Sequence, residues 1–88
     1  MPTKPKANKA PKLFLMTGEE ALAHRRKLAL NQSDFWKRVA IGQSGGSRYE
    51  SGRKLPRPVQ ILLHLAYAPE AQANAVLLHL RTQDKAAA

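Results

Sequence analysis

Apolar residues recur at intervals of three and four positions along most of this chain, which is the spacing of one buried face of an α-helix. The pattern predicts five helices, near residues 18–28, 32–39, 43–50, 58–67 and 70–82. With 88 residues there is room for one domain and a small core. We therefore expect an all-α fold, a compact five-helix bundle.

Two of the predicted helix starts have local capping signals. Thr17 and Glu20 have the spacing of a capping box, and Met16 is placed to pack on the first turn of the helix that follows. Asn31 is a suitable N-cap for the second helix, because its side-chain oxygen can accept from a free amide. At the other end of the third helix, Gly52 can adopt the left-handed conformation that ends helices.

The segments outside the helices differ in character. Leu13–Met16 is a short apolar stretch, and the sequence leaves open whether it covers the core or pairs with a partner chain. Residues 1–12 contain three prolines and four lysines without an apolar period, so we expect a disordered arm. Residues 83–88 are expected to be a frayed tail, and residues 13–82 to form the folded domain.

The second and third predicted helices form a distinctive unit. Phe35, Trp36 and Val39 fall on one face of the first of these helices, and Ala40-Ile41-Gly42 makes a tight turn into the next. On the third helix, one polar outward face is expected to carry Gln43, Ser44, Ser47 and Arg48. Gln can pair with adenine, Arg with guanine and Ser with several bases, so the unit is typical of a helix-turn-helix that binds the DNA major groove.

Two pairs of residues are expected to join these helices. Trp36 is predicted to fill the space left by Gly46, since a glycine inside a helix is costly unless something compensates for it. Arg25 lies on an apolar stripe of the first helix and needs an anion, and Glu50 is the acidic residue turned toward the core. We expect Arg25 and Glu50 to form a structural ion pair.

Charge and composition narrow the possible partners. Fifteen Lys and Arg against six Asp and Glu give a net charge of +9, which suits nucleic acid, an anionic membrane or acidic proteins. Without cysteine there is neither a disulfide nor a cysteine-based zinc site. His24, His64 and His79 lack metal spacing and are expected to be partly buried or at the surface. We expect no cofactor, no metal and no enzymatic activity, and a cytoplasmic protein without a membrane segment.

These motifs resemble the phage-repressor family of helix-turn-helix proteins, which includes the lambda and 434 repressors. The resemblance rests on Gly42-Gln43-Ser44-Gly45, on Leu30-Asn31-Gln32 and on the Glu50-x-Gly52 ending, and it covers about residues 22–65. It implies base contacts from Gln43, Ser44 and Arg48, a phosphate contact from Gln32 and an Arg25–Glu50 pair. The chain departs from the family at Trp36, Ala40 and Gly46.

Further cations are candidates for phosphate contacts. Arg53, Lys54 and Arg57 follow the third helix and would lie beside the groove, although an ordinary basic loop would have the same composition. The N-terminal arm would lie along DNA phosphates by the same resemblance, or would serve only as a solubilising tail. Its candidate residues are Lys4, Lys6, Lys9 and Lys12.

The last two predicted helices are more apolar than one buried face requires. Their core stripes are expected to contain Val59, Leu62, Leu63 and Ala66, and then Ala73, Val76, Leu77 and Leu80. Ile61, Leu65 and Leu78 remain as a surplus, which favours a homodimer joined through these helices. A well-filled monomeric core is the alternative.

The sequence thus predicts a sequence-specific regulator of transcription, a dimeric repressor that binds a palindromic site on double-stranded DNA. An antitoxin-type autoregulator with a toxin partner would share the same chemistry. A cationic adaptor that binds RNA or membrane through charge alone is an alternative of a different class, and it predicts no role for Gln43 or Ser44.

Overall fold

A computed structural model describes residues 11–82 of the chain, and within that range the secondary structure consists of helices without a strand. The expected all-α fold with five helices is confirmed. Lys4, Lys6 and Lys9 of the predicted arm, and the predicted tail at 83–88, lie outside the described residues. The helices are α1 (Gly18–Lys27), α2 (Gln32–Lys37), α3 (Gln43–Glu50), α4 (Arg57–Tyr67) and α5 (Glu70–Arg81).

The capping signals in the sequence act as predicted. The Thr17 hydroxyl accepts from the amide of Glu20 at 3.1 Å, and the Glu20 carboxylate accepts from the amide of Met16 at 2.8 Å. The Asn31 side chain accepts from the amide of Asp34 at 2.7 Å. These bonds satisfy amides that have no partner within the first turn of a helix, so α1 and α2 begin where local chemistry places them.

Three successive helices end in the same hydrogen-bond pattern. At the end of α2 the amide of Ile41 donates to the carbonyl of Trp36, and the amide of Ala40 donates to that of Lys37. The ends of α1 and α3 have the same pair of hydrogen bonds. Each of the three helix ends has one residue in the left-handed region of backbone conformation. These residues are Ala29 (φ 59°), Ala40 (φ 64°) and Gly52 (φ 122°). Because this pattern tightens the chain from Trp36 onward, α2 ends at Lys37, two residues before the predicted boundary.

The core lies where α1, α2 and α3 meet the C-terminal helices. Phe35, Trp36 and Leu63 are fully buried, and smaller residues from α1 and from the segments between helices complete the cluster. Leu13 and Leu15 are buried as well. The apolar N-terminal stretch therefore covers the core of its own chain, a choice that the sequence had left open.

Tyr67 attaches the end of α4 to α2. Its ring stacks on Phe35 with centroids 4.4 Å apart, and its hydroxyl donates to the carbonyl of Phe35 at 2.6 Å. A carbonyl in the last turn of a helix lacks an intrahelical amide, and this hydroxyl supplies the missing donor. Burial raises the pKa of Tyr67, against an opposing effect of Arg38, whose guanidinium carbon lies 4.9 Å from the ring centroid.

His64 is fully buried, which corrects the expectation of a surface or partly buried histidine. Its Nδ1 accepts from the amide of Phe14 at 2.8 Å, and its Nε2 lies 2.9 Å from the carbonyl of Gln72. Because a carbonyl can only accept, Nε2 carries the proton in this arrangement. The imidazole thus connects the N-terminal stretch to both C-terminal helices, and a buried polar ring is accommodated because both nitrogens are paired.

The prediction of which residues of the helices are buried is partly wrong. Leu62 and Leu77, both expected in the core, are 44% and 43% exposed. On α4 the fully buried positions are Leu63 and His64. A helix that is apolar around most of its circumference has no sequence signal for which side the neighbouring helices cover, so periodicity alone could not choose between adjacent positions.

Among residues 11–82, no helix combines the length and the apolar character needed to cross a membrane.

Candidate nucleic-acid interface

Helices α2 and α3 are joined by a tight turn, and Trp36 of α2 packs closely against Gly46 of α3. Trp36 is fully buried, and the three atoms nearest to a Cβ placed on Gly46 all belong to its indole, with Nε1 2.7 Å away and two carbons closer still. A methyl group at position 46 would therefore overlap the ring. The predicted spatial match between the large side chain on α2 and the missing one on α3 is confirmed.

The carboxylate of Glu50, the last residue of α3, lies at the centre of a hydrogen-bond network. Arg25 on α1 donates through Nε and Nη2 to its two oxygens, at 2.8 and 2.9 Å. Gln32 and Trp36 on α2 donate to it at 2.9 and 2.8 Å. One side chain thus receives bonds from two other helices, and the remaining guanidinium nitrogen of Arg25 donates to the carbonyl of Leu30 at 3.1 Å.

Protonation of this network is governed by competing effects. Burial by itself would raise the pKa of Glu50, but the hydrogen bonds from Arg25, Trp36 and Gln32 and the charge of Arg25 outweigh it and lower that pKa. The hydrogen bond to Glu50 raises the pKa of Arg25 in turn. The pair is therefore ionised at neutral pH, and its side chains are only 16% and 5% exposed.

The opposite side of α3 faces solvent. Gln43, Ser44 and Arg48 are exposed, and Ser47 is half-buried. Gly46 on the inner side is buried, with Tyr49 half-buried and its ring 5.5 Å from that of Trp36. The amphipathic arrangement expected from the sequence leaves polar side chains free on one face while the other is held by α2.

Gln32 connects the Glu50 network to this exposed face. Its Nε2 donates to Glu50, and its Oε1 lies 3.5 Å from Nε2 of Gln43, at the limit of a hydrogen bond. Gln32 is half-buried, so much of its amide is committed to protein contacts.

The predicted phosphate-contacting cations border different depressions of the surface. Arg53 and Lys54 are exposed and border a depression of about 330 Å³, whose opposite wall is the start of α1 at Thr17–Glu19. Arg57 borders a different depression of about 230 Å³, together with Leu13 and Val76. Lys12, the one arm lysine within the described residues, is exposed.

The residues expected at a dimer interface have unequal exposure. Ile61 and Leu65 are half-buried by their own chain, whereas Leu78 on α5 is 63% exposed. Leu62 and Leu77, the two leucines expected in the core but found exposed, add apolar surface to the same two helices.

Sequence reasoning missed Gly18 as a residue that positions α3. A Cβ at Gly18 would overlap the backbone carbonyl of Tyr49, because the first turn of α1 packs directly on the end of α3. The sequence contains little indication of this contact, because Tyr49, the residue that Gly18 packs against, lies 31 positions away along the chain. No group of three metal-ligating side chains occurs in the described part of the chain.

Two short helices joined by a tight turn, one buried against the core and the other with an exposed polar face, define a helix-turn-helix DNA-binding domain. The sequence model of the RsaL-like HTH domain matches residues 22–66, about half of the chain. The chain therefore belongs to the RsaL-like HTH domain family, and the prediction of a helix-turn-helix protein is confirmed. No curated protein and no solved structure shows a match to the chain.

Proposed function

We propose that this protein is a sequence-specific transcription regulator, a dimeric repressor that binds a pseudo-palindromic operator by inserting α3 into the major groove. The observation that carries this proposal is the exposed polar face of α3, which contains an amide, two hydroxyls and a guanidinium. These groups match the donors and acceptors of base edges, whereas charge alone would suffice for binding without sequence preference. The proposed base contacts are Gln43, Ser44, Ser47 and Arg48.

Phosphate contacts are proposed for the cations around this face and for the Gln32 amide. Arg53 and Lys54 lie in the segment that directly follows α3, and both are exposed. Arg57 and Lys12 would reach the backbone farther along the duplex, and Lys4, Lys6 and Lys9 would extend the arm. The Arg25–Glu50 pair, which the resemblance to the lambda and 434 repressors implies, supports an arrangement of that type.

The base-contact assignment can be tested with Arg48→Ala. A preferred duplex would be selected by the wild-type protein from a random library, and affinities for it and for a scrambled duplex would be titrated at several salt concentrations. The variant should lose about 1–3 kcal/mol on the selected duplex alone, with relaxed preference at one base position. Equal weakening on both duplexes would make Arg48 a phosphate contact, and a library that yields no preferred duplex would favour a non-specific cationic adaptor.

Dimerisation is proposed through apolar side chains of α4 and α5, with the exposed Leu78 and the half-buried Ile61 and Leu65 at the interface. Two-fold symmetry would then separate the half-sites by about 34–36 Å, one turn of DNA. Leu78→Glu should give a monomer in sedimentation and a weaker complex with the selected duplex. Leu28 is an exposed leucine directly after α1, so Leu28→Glu is the matched control and should remain dimeric. A wild-type monomer at high micromolar concentration, unchanged by DNA, would contradict the proposal.

A further inference from the structure

Trp36 contacts the recognition helix α3 both in its middle and at its end. Its ring lies against Gly46 in the middle of α3, and its Nε1 donates to the Glu50 carboxylate at the end, at 2.8 Å. Positions 46 and 50 are one helical turn apart and lie on the same side of α3. An attachment at two points one turn apart limits both the rotation of a helix about its axis and its tilt.

The two contacts constrain different properties of the helix. Because the indole fills the space that a side chain at position 46 would take, its thickness sets the separation between α2 and α3. Because Glu50 also accepts from Arg25 and Gln32, the indole N–H joins a carboxylate that is already oriented by two other helices. Full burial of Trp36 leaves the ring little freedom to move.

We propose that Trp36 is a positioning residue for base recognition: its contacts with Gly46 and Glu50 hold α3 at the rotation that presents Gln43, Ser44 and Arg48 to base edges. This inference rests on the proposed function of α3. Hydrogen bonds to base edges tolerate displacements of only about 0.5 Å and 10–20°. A small rotation of α3 therefore weakens contacts to bases more than contacts to phosphates, whose flexible lysine and arginine partners can adjust.

Two variants separate the ring from its N–H. Trp36→Phe keeps an aromatic ring against Gly46 and removes the donor to Glu50. The double variant Trp36→Ala with Gly46→Leu moves the side-chain volume from α2 to α3 and also removes the donor. Leu13→Ala is the control, because Leu13 is buried but lies outside the core cluster that contains Trp36.

The measurement is the ratio of affinities for the selected duplex and for a scrambled duplex of the same length, at a temperature where circular dichroism shows each variant folded. Trp36→Phe and the double variant should lower this ratio about tenfold, with scrambled-duplex affinity changed less than about twofold. Leu13→Ala should lower the melting temperature and leave the ratio unchanged.

Two outcomes would overturn the inference. A ratio equal to that of the wild type in both variants, or an equal loss on both duplexes, would show that Trp36 supports only the fold. If one variant does not fold, the other still gives the ratio. A wild-type protein without any preferred duplex would instead refute the proposed function itself, and a preserved wild-type preference with unaffected variants would refute only the role of Trp36.

Discussion

The carboxylate of Glu50 is the group on which three helices converge. It accepts four hydrogen bonds, two from Arg25 and one each from Gln32 and Trp36. A buried ion pair is costly to desolvate and contributes little net stability compared with apolar residues, but removal of one partner leaves the other charge uncompensated. The network is therefore best understood as a device for fixing the geometry of α3, with a large penalty when it is broken.

Glu50→Gln should reveal this network through the pH dependence of stability. The folded-state pKa of Glu50 is lowered, so its stabilising contribution is present above about pH 4.5 and is lost as the pH falls through the folded-state value. At pH 7 the variant should lose about 1–3 kcal/mol, since the partly buried Arg25 loses its counter-charge while the new amide oxygen can replace only some of its hydrogen bonds. Urea unfolding at pH 7 and at pH 3 would measure the free energy of unfolding of the wild type and of the variant.

When the pH is lowered from 7 to 3, the free energy of unfolding of the wild type should fall more than that of Glu50→Gln. The reason is that the variant has no carboxylate to protonate at this position. The other acidic residues remain in both proteins, so their effects cancel in the comparison. Equal losses would show that Glu50 does not titrate differently in the folded and unfolded states.

Gly18 offers a second test at the scale of one residue. Gly18→Ala should destabilise the protein by about 3 kcal/mol or more, since the added methyl overlaps a backbone carbonyl that can move only with α3. Gly42→Ala is the control: a Cβ at Gly42 has no neighbour within 4 Å, and the expected change is within about 1 kcal/mol. Thermal melts of the two variants would settle the comparison, and similar melting temperatures would contradict the close packing of α1 on α3.

At the scale of the elements, three helices use one ending with different residues at the left-handed position. Gly52 adopts this conformation without strain, whereas Ala29 and Ala40 place a Cβ against the following carbonyl. Apolar residues follow both alanines, and Leu30 and Ile41 are half-buried against the core. Packing of these residues holds the backbone in place, so the strain at the alanines is retained.

Ala40→Gly and Ala29→Gly should each stabilise the protein. The substitution removes the steric cost of a Cβ in the left-handed region, but glycine also gives the unfolded chain more conformational entropy. Together these effects should raise the free energy of unfolding by about 0.5–1 kcal/mol per site. Ala75→Gly is the control, because Ala75 is an exposed residue in the middle of α5 with ordinary helical geometry, and this variant should instead lose about 0.5–1 kcal/mol. A loss of stability in Ala29→Gly or Ala40→Gly comparable to that in Ala75→Gly would show that the two alanines are not strained.

At the scale of the whole molecule, the net charge of +9 has contributions from exposed cations at different places in residues 11–82, and only some of these follow α3. Arg53 and Lys54 follow α3 directly, whereas Arg26 and Lys27 lie at the end of α1. Non-specific attraction depends on total charge, but counterion release depends on how many phosphates the protein neutralises. The two pairs of cations therefore differ in the salt dependence that they should produce.

The double variant Arg53→Ala with Lys54→Ala should make the slope of log affinity against log salt shallower by about 0.9 for each phosphate that is no longer neutralised. Both the selected and the scrambled duplex should weaken, since phosphates carry no sequence information. Arg26→Ala with Lys27→Ala removes the same charge and should leave the slope almost unchanged. Equal slopes for the two double variants would show that Arg53 and Lys54 contribute only to the general field.

The starts of α1 and α2 and the helix-turn-helix were determined by the sequence itself, because they depend on groups a few residues apart. Thr17 and Asn31 cap their own first turns, and the polar positions of α3 follow from a spacing of 3.6 residues. The match between Trp36 and Gly46 was also accessible, since a large residue on one short helix and a glycine on the next are joined by a fixed turn.

Only the tertiary structure decided which sides of the C-terminal helices are covered. Leu62 and Leu63 are both leucines on one helix, and nothing within a few residues distinguishes them, yet one is exposed and the other fully buried. His64 is buried because Phe14 and Gln72, 50 and 8 positions away, supply its two partners. Such choices depend on the summed packing of all helices, a quantity that no local pattern contains.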